Sequence, residues 1–186
     1  MSQFTITDCP LAGLKLVKRT CFEDVRGYLS RFFCAEDLKA AGWKKPVAQI
    51  NHSYTLRKGT IRGLHFQYPP HAEAKFINCL RGSIWDIAID LRAGSPTFLK
   101  SHAEVLSADN KHALLIPEGY AHGFQSLTED VEVLYLLSHP YKKEAEGGVC
   151  FSDPALGIAW PLPATVVSER DKNHPPLTKD FRGLVL

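Results

Sequence analysis

Apolar residues in this chain fall into short runs or alternate with polar ones, and turn-forming residues close almost every run. Strands are predicted at Leu14–Val17, Tyr28–Phe33, Val47–Tyr54, Ile61–Gln67, Lys75–Leu80, Ile84–Leu91, His102–Leu106, Ala113–Ile116 and Val131–Leu137. Turn chemistry separates them at Arg57-Lys58-Gly59, Arg81-Gly82, Ala93-Gly94-Ser95-Pro96, Ala108-Asp109-Asn110-Lys111 and Pro117-Glu118-Gly119. Glu36–Ala41 reads as a helix of about two turns, with acidic residues first, Lys39 later and Gly42 as a stop. Many short strands at this spacing predict an all-β, double-sheet antiparallel jelly roll. No linker, composition shift or repeat divides residues 1–186, so one domain is expected, with 161–176 its loosest stretch. Residues 1–30 form a β arm turning at Glu23-Asp24-Val25-Arg26-Gly27. Such an arm must pair with something or expose an edge, and pairing with a second copy of the chain is one solution.

Composition narrows the class without naming a function. The chain has 186 residues, 45% hydrophobic and 23% charged, as in one soluble globular domain able to bury a core without disulfides or a structural metal. Lys plus Arg outnumber Asp plus Glu by only 22 to 20, so neither nucleic acid nor an anionic membrane is an expected partner. Any anionic ligand must meet a local cluster. Five cysteines, an odd number with no C-x-x-C pair, read as reduced thiols of a cytoplasmic protein. The first residues lack the pattern of a secretory leader, and no apolar run approaches a membrane span.

Two segments carry candidate chemistry, Gly59-Thr60-Ile61-Arg62-Gly63-Leu64-His65-Phe66-Gln67 and Pro117-Glu118-Gly119-Tyr120-Ala121-His122-Gly123-Phe124, and they resemble the two halves of the cupin signature. Metal-binding cupins offer His-x-His and a later acid in the first half and another His in the second. Here the pair is His65-Phe66-Gln67, leaving His65, His122 and Glu73 as possible ligands. An amide is a poor transition-metal ligand, so no metal and no cofactor are expected.

The resemblance sharpens with Asp24-Val25-Arg26-Gly27, Gln49-Ile50-Asn51-His52-Ser53, Arg62 to Gln67, Ala74-Lys75, Asp86 to Arg92, Ser95-Pro96-Thr97-Phe98, Ile116 to Phe124, Val133-Leu134-Tyr135 and Ser168-Glu169-Arg170-Asp171. In this order and spacing the chain resembles the dTDP-4-dehydrorhamnose 3,5-epimerase family, from about Phe22 to Asp171. The resemblance implies a homodimer acting on a nucleoside-diphosphate 4-keto-6-deoxy sugar in deoxysugar or surface polysaccharide synthesis. Hydrogens flanking the ketone are acidic because the carbanion delocalises onto oxygen. Inversion then needs a base on one face, a positive group or donor at the oxygen, and an acid on the other face.

The resemblance implies His65 as base, Asp171 as its orienting partner, Lys75 at the ketone oxygen and Tyr135 as the opposing acid. It implies Arg62, His122, Gln49 and Asn51 along sugar and diphosphate, Tyr141 and Glu146 near the nucleotide base, and Arg26 as a diphosphate ligand supplied by the partner's arm. Without it, His65 is a buried strand histidine, Asp171 a turn-capping carboxylate, Lys75 a surface lysine and Tyr135 a core tyrosine; Arg62 is a strand-edge charge, Gln49 and Asn51 are solvent-facing strand residues and Arg26 a turn residue. Arg31 stands where the family commonly has a carboxylate, and Leu136-Leu137-Ser138-His139-Pro140 replaces a more polar run. These departures leave the nucleotide, the sugar and the number of inverted carbons open. A metal-dependent cupin isomerase or oxygenase and a non-catalytic nucleotide-sugar-binding module are the competing readings.

Overall fold

The computed structural model describes residues 3–186. Its strands are β1 (Phe4–Asp8), β2 (Lys15–Arg19), β3 (Cys21–Asp24), β4 (Gly27–Ser30), β5 (Gln49–Thr55), β6 (Thr60–Gln67), β7 (Lys75–Arg81), β8 (Ser83–Asp90), β9 (Ser101–Ser107), β10 (His112–Ile116), β11 (Tyr120–Ser126), β12 (Val131–Leu137), β13 (Glu146–Gly148) and β14 (Val166–Val167). Two short helices accompany them, α1 (Ala35–Lys39) and α2 (Glu169–Lys172). One sheet runs β1-β2-β10-β7-β12-β5; the other runs β13-β6-β11-β8-β9, with β14 parallel to β6. All other pairings among these strands are antiparallel, which is the expected jelly roll.

Leu14, Ile77, Ile84, Ala88, Leu106, Leu114, Tyr120, Phe124 and Val133 pack between the sheets. Outer faces are covered as well. Leu38 of α1 and Trp43 lie over Phe76, Ala113 and Leu115 on one sheet, and Val149, Leu156 and Leu184 lie over Leu64, Ile87 and Ile89 on the other. Strands wrapped on both sides lose their alternation, so β7 is buried from Lys75 through Cys79 and β11 along its whole length. This is why β11, with its glycine and polar residues, does not stand out as a strand in the sequence. Helix α1 is shorter than the predicted Glu36–Ala41, because the chain turns after Lys39 toward Gly42 at φ 111°.

Pairing within the chain divides the N-terminal arm. β1 and β2 join the first sheet through β10, whereas β3 and β4 pair only with each other and leave Phe22, Val25, Tyr28 and Leu29 exposed. Arg31, which stands where the family commonly has a carboxylate, pairs with Asp37 of α1 at 3.4 Å. All five cysteines are free, and among the described residues no helix is long and apolar enough to cross a membrane.

Candidate active site

Where β5 and β12 of one sheet face β6 and β13 of the other, the sandwich opens into a cavity of about 1170 Å³. His65 projects into it from β6, Lys75 from β7, His122 from β11 and Tyr135 from β12; Gln49, Asn51, Arg62, Tyr141, Glu146 and Asp171 complete the walls from the expected set. Close approach of β6 and β11 sets this geometry. Gly63, at φ 119°, lies against Gly123, and a Cβ on Gly63 would come within 2.6 Å of the Gly123 Cα. The bulge between His122 and Phe124 then brings His122 opposite His65.

Asp171 reaches His65 across 106 positions because Ser168 caps α2. The Ser168 hydroxyl accepts from the Asp171 backbone N–H, so the aspartate side chain is free to point at β6. Its Oδ1 lies 2.8 Å from His65 Nε2, and its Oδ2 accepts from the Gly63 N–H at 3.1 Å. Burial opposes the Asp171 charge, but the bond and charge of His65, the Gly63 N–H and Arg170 hold its carboxyl well below the usual carboxylate range. A carboxylate at Nε2 assigns the proton of the neutral ring to that nitrogen. Nδ1, with no hydrogen bond to any described residue, keeps its lone pair. Burial lowers the His65 pKa; the Asp171 bond and charge pull it partly back, and Arg170 and Lys75 push it down again. The result is a neutral imidazole poised to accept a proton at neutral pH.

Tyr135 stands on the opposing sheet, its hydroxyl 3.0 Å from Ser53 Oγ and its ring edge-on to His122. Burial raises its pKa, Asp86 adds to the rise and Ser53 offsets it only in part, so the phenol stays protonated. Lys75 is buried and paired with Glu73 at 2.9 Å, and it donates to the His65 carbonyl at 3.0 Å. An ammonium has three donors, so one remains for a ligand oxygen. His122 Nε2 lies 2.8 Å from Asp86 Oδ1. Burial pushes Asp86 above the usual carboxylate range, while His122 and Lys75 draw it back.

Toward the mouth, Arg62 donates to Thr55 Oγ1 and the Tyr54 carbonyl, Gln49 donates to Asn51, and the Tyr141 hydroxyl donates to Glu146 at 2.9 Å. Arg26 is elsewhere. It sits in the β3–β4 turn, 86% exposed in its side chain and paired with Asp24. Sequence reasoning missed Arg170, which pairs with Glu146 at 2.7 Å and sits 2.9 Å from His65 Nε2. It also missed Ser53, Asp86 and His174. Arg170, Ser53 and Asp86 stand inside the quoted motifs, which was their one available signal.

The cupin ligand positions are engaged with the protein itself. Gln67 donates to the His71 and Pro140 carbonyls and accepts from the Lys142 N–H, Glu73 pairs with Lys75, and His122 with Asp86. That donor set does not fit a resident metal at the cupin position.

Comparison with known proteins follows the same lines. Residues 8–179 match the family model described as dTDP-4-dehydrorhamnose 3,5-epimerase. A curated protein of that name from Sinorhizobium fredii is 40% identical over 168 residues, 90% of this chain and 86% of the relative. The crystal structure of the dTDP-4-dehydrorhamnose 3,5-epimerase from Bacillus anthracis str. Ames, with TDP and PPi bound, superimposes with a TM-score of 0.90 at 36% identity, covering 94% of this chain and 99% of that one. ChmJ, a 3'-monoepimerase from Streptomyces bikiniensis solved with dTDP-quinovose, gives 0.83 at 34% identity over 90% and 85% of the two chains.

Proposed function

This chain belongs to the dTDP-4-dehydrorhamnose 3,5-epimerase family, and from that premise we propose how its cavity inverts a sugar carbon. It is an isomerase, an epimerase of deoxysugar biosynthesis. One observation carries the mechanism: His65 and Tyr135 come from different sheets and face one cavity, with the Lys75 ammonium beside them.

In this reading His65 Nδ1 takes a proton from the carbon next to the ketone of a dTDP-linked 4-keto-6-deoxy sugar. The C–H electron pair moves into the ring bond as the carbonyl pair moves onto oxygen, and the enolate oxygen takes the free N–H of Lys75. Asp171 stabilises the imidazolium that results. Tyr135 then protonates carbon from the other face, and its phenolate and the imidazolium reset by exchange with solvent. No redox change occurs, and the groups at the site need neither metal nor cofactor.

Arg62, Gln49, Asn51 and His122 hold sugar and diphosphate, and Tyr141 and Glu146 the nucleotide base. Arg26 enters from the hairpin of a second copy, making the active form a homodimer in which residues 1–186 act as one unit; the exposed apolar residues of β3–β4 support this. Free thiols suit the cytoplasm.

The test is turnover of dTDP-4-keto-6-deoxyglucose in D2O. Wild type should place one deuterium at each inverted carbon, and the labelled positions decide between inversion at C3, C5 or both. Tyr135→Phe should exchange deuterium faster than it inverts. Wild-type inversion by Tyr135→Phe would remove the tyrosine from the mechanism, and wild-type exchange by His65→Ala would remove the base.

A further inference from the structure

Against His65, outside the lining of the cavity, lies an imidazole that none of the roles above uses. His174 packs its ring edge-on against His65, with centroids 5.6 Å apart and planes at 72°. Its side chain is 14% exposed, and its Nε2 is buried without a hydrogen-bond partner among the described residues, 3.9 Å from Asp171 Oδ1 and too far to bond. An orphaned buried nitrogen costs free energy, so something else must hold the ring in place.

The chain around it is fixed. Asn173 closes α2 onto the Glu169 and Arg170 carbonyls, the Pro175 carbonyl accepts from the Cys150 N–H, and the Leu177 N–H donates to Asp153. The space the ring fills is provided by one residue. In the β13–β6 ladder Gly148 stands opposite His65, and a Cβ on Gly148 would overlap the His174 ring. Gly148 is in a strand and outside the left-handed region, so its backbone would accept alanine; the ring is what excludes a side chain there.

We propose that His174 is a positioning residue for the epimerisation: seated in the gap left by Gly148, its ring is a wedge that fixes the plane of His65 against Asp171 and keeps water from the back of that pair. This rests on the reading of His65 as the base. The function of His174 in it is steric, so the volume of the ring matters and its nitrogens do not.

A double-mutant cycle tests it, with kcat, KM and deuterium exchange measured on dimeric, folded protein. His174→Ala should lower kcat and exchange together by about ten- to a hundredfold, the range expected for a base displaced by about 1 Å, with KM within about twofold of wild type. His174→Phe should recover most of that loss. Gly148→Ala should resemble His174→Ala, because its methyl displaces the ring, yet adding it to His174→Ala should cost nothing more. If Gly148→Ala does not fold alone, the Ala and Phe variants at 174 decide. Wild-type kcat in His174→Ala overturns the proposal, as does a Phe variant no better than Ala. Zinc-dependent activity lost in both variants would also overturn it, since the donor atoms of His65, Asp171 and His174 all lie within 4.8 Å of one another. Failure of the base reading looks different: His65→Ala itself would remain active.

Discussion

Asp90 and Asp171 are both buried carboxylates held well below their usual range, but they sit in networks of opposite character. Around Asp90 the bonds close. Arg92 takes both carboxylate oxygens, Ser95 and Thr97 donate to Oδ2 at 2.5 and 2.6 Å, and Arg92 Nη2 also reaches the Ala12 carbonyl and the Tyr120 hydroxyl. That knot ties the β1–β2 turn to β8 and β11. Around Asp171 the network stays open: His65 lines the cavity together with Glu73, whose buried Oε2 has no partner among the described residues. A network that takes up both oxygens of its carboxylate fastens the fold, whereas one that leaves valences facing a cavity waits for a ligand.

Substitutions should separate the two, the largest effect first. His65→Ala should lower turnover by ~10²–10⁴-fold while its denaturation midpoint stays close to wild type. A comparable loss of stability in urea titration would make the open network a fastener too. Arg92→Ala should do the reverse, costing about 3–5 kcal/mol of stability because Asp90 is left buried and unpaired, with activity per folded molecule retained.

Acid should act on both. A carboxyl depressed in the folded state stabilises above its unfolded pKa, near 4, and that stability is lost as pH falls toward the folded value. Asp90→Asn should therefore flatten the acid limb of a stability-against-pH curve. An unchanged limb would show that Asp90 is no more favourably placed folded than unfolded.

Smaller effects belong to the pH profile of kcat/KM. Its acid limb should lie below the ordinary imidazole range, since burial lowers the His65 pKa. Arg170→Gln removes a nearby positive charge and should move the limb to higher pH; Asp171→Asn removes the group that raises His65 and should move it lower, with a large fall in rate. A limb that moves the same way in both variants would not be the titration of His65.

The chain declared its architecture and its candidate reacting groups more openly than their support. Strands such as Val131–Leu137 coincide with their apolar runs, and His65, Lys75, Tyr135 and Asp171 stood in motifs specific enough to name. β11 was hidden because covering both faces erases the period of two. α2, of four residues, is too short to show a helical pattern, and its fold back onto β6 brings Arg170 and His174 to His65. Gly148 could not be read at all, since its meaning lies in a ring 26 positions away. The motif Asp90-Leu91-Arg92 with Ser95 and Thr97 was visible but silent about its purpose, which is the closed knot.

In the proposed homodimer the β3–β4 hairpin would tie catalytic competence to how many copies of the chain are present. Two strands paired only with each other, with Val25 and Leu29 bare to water and Arg26 locked to Asp24, are poorly suited to stand alone. If Arg26 completes the neighbour's cavity, specific activity is a function of abundance: on dilution it should fall along the dimer dissociation curve, and dTDP should restore it by mass action. A cell that makes little of this protein would then have less than a proportionate share of its activity. Constant specific activity through demonstrated dissociation would uncouple the two.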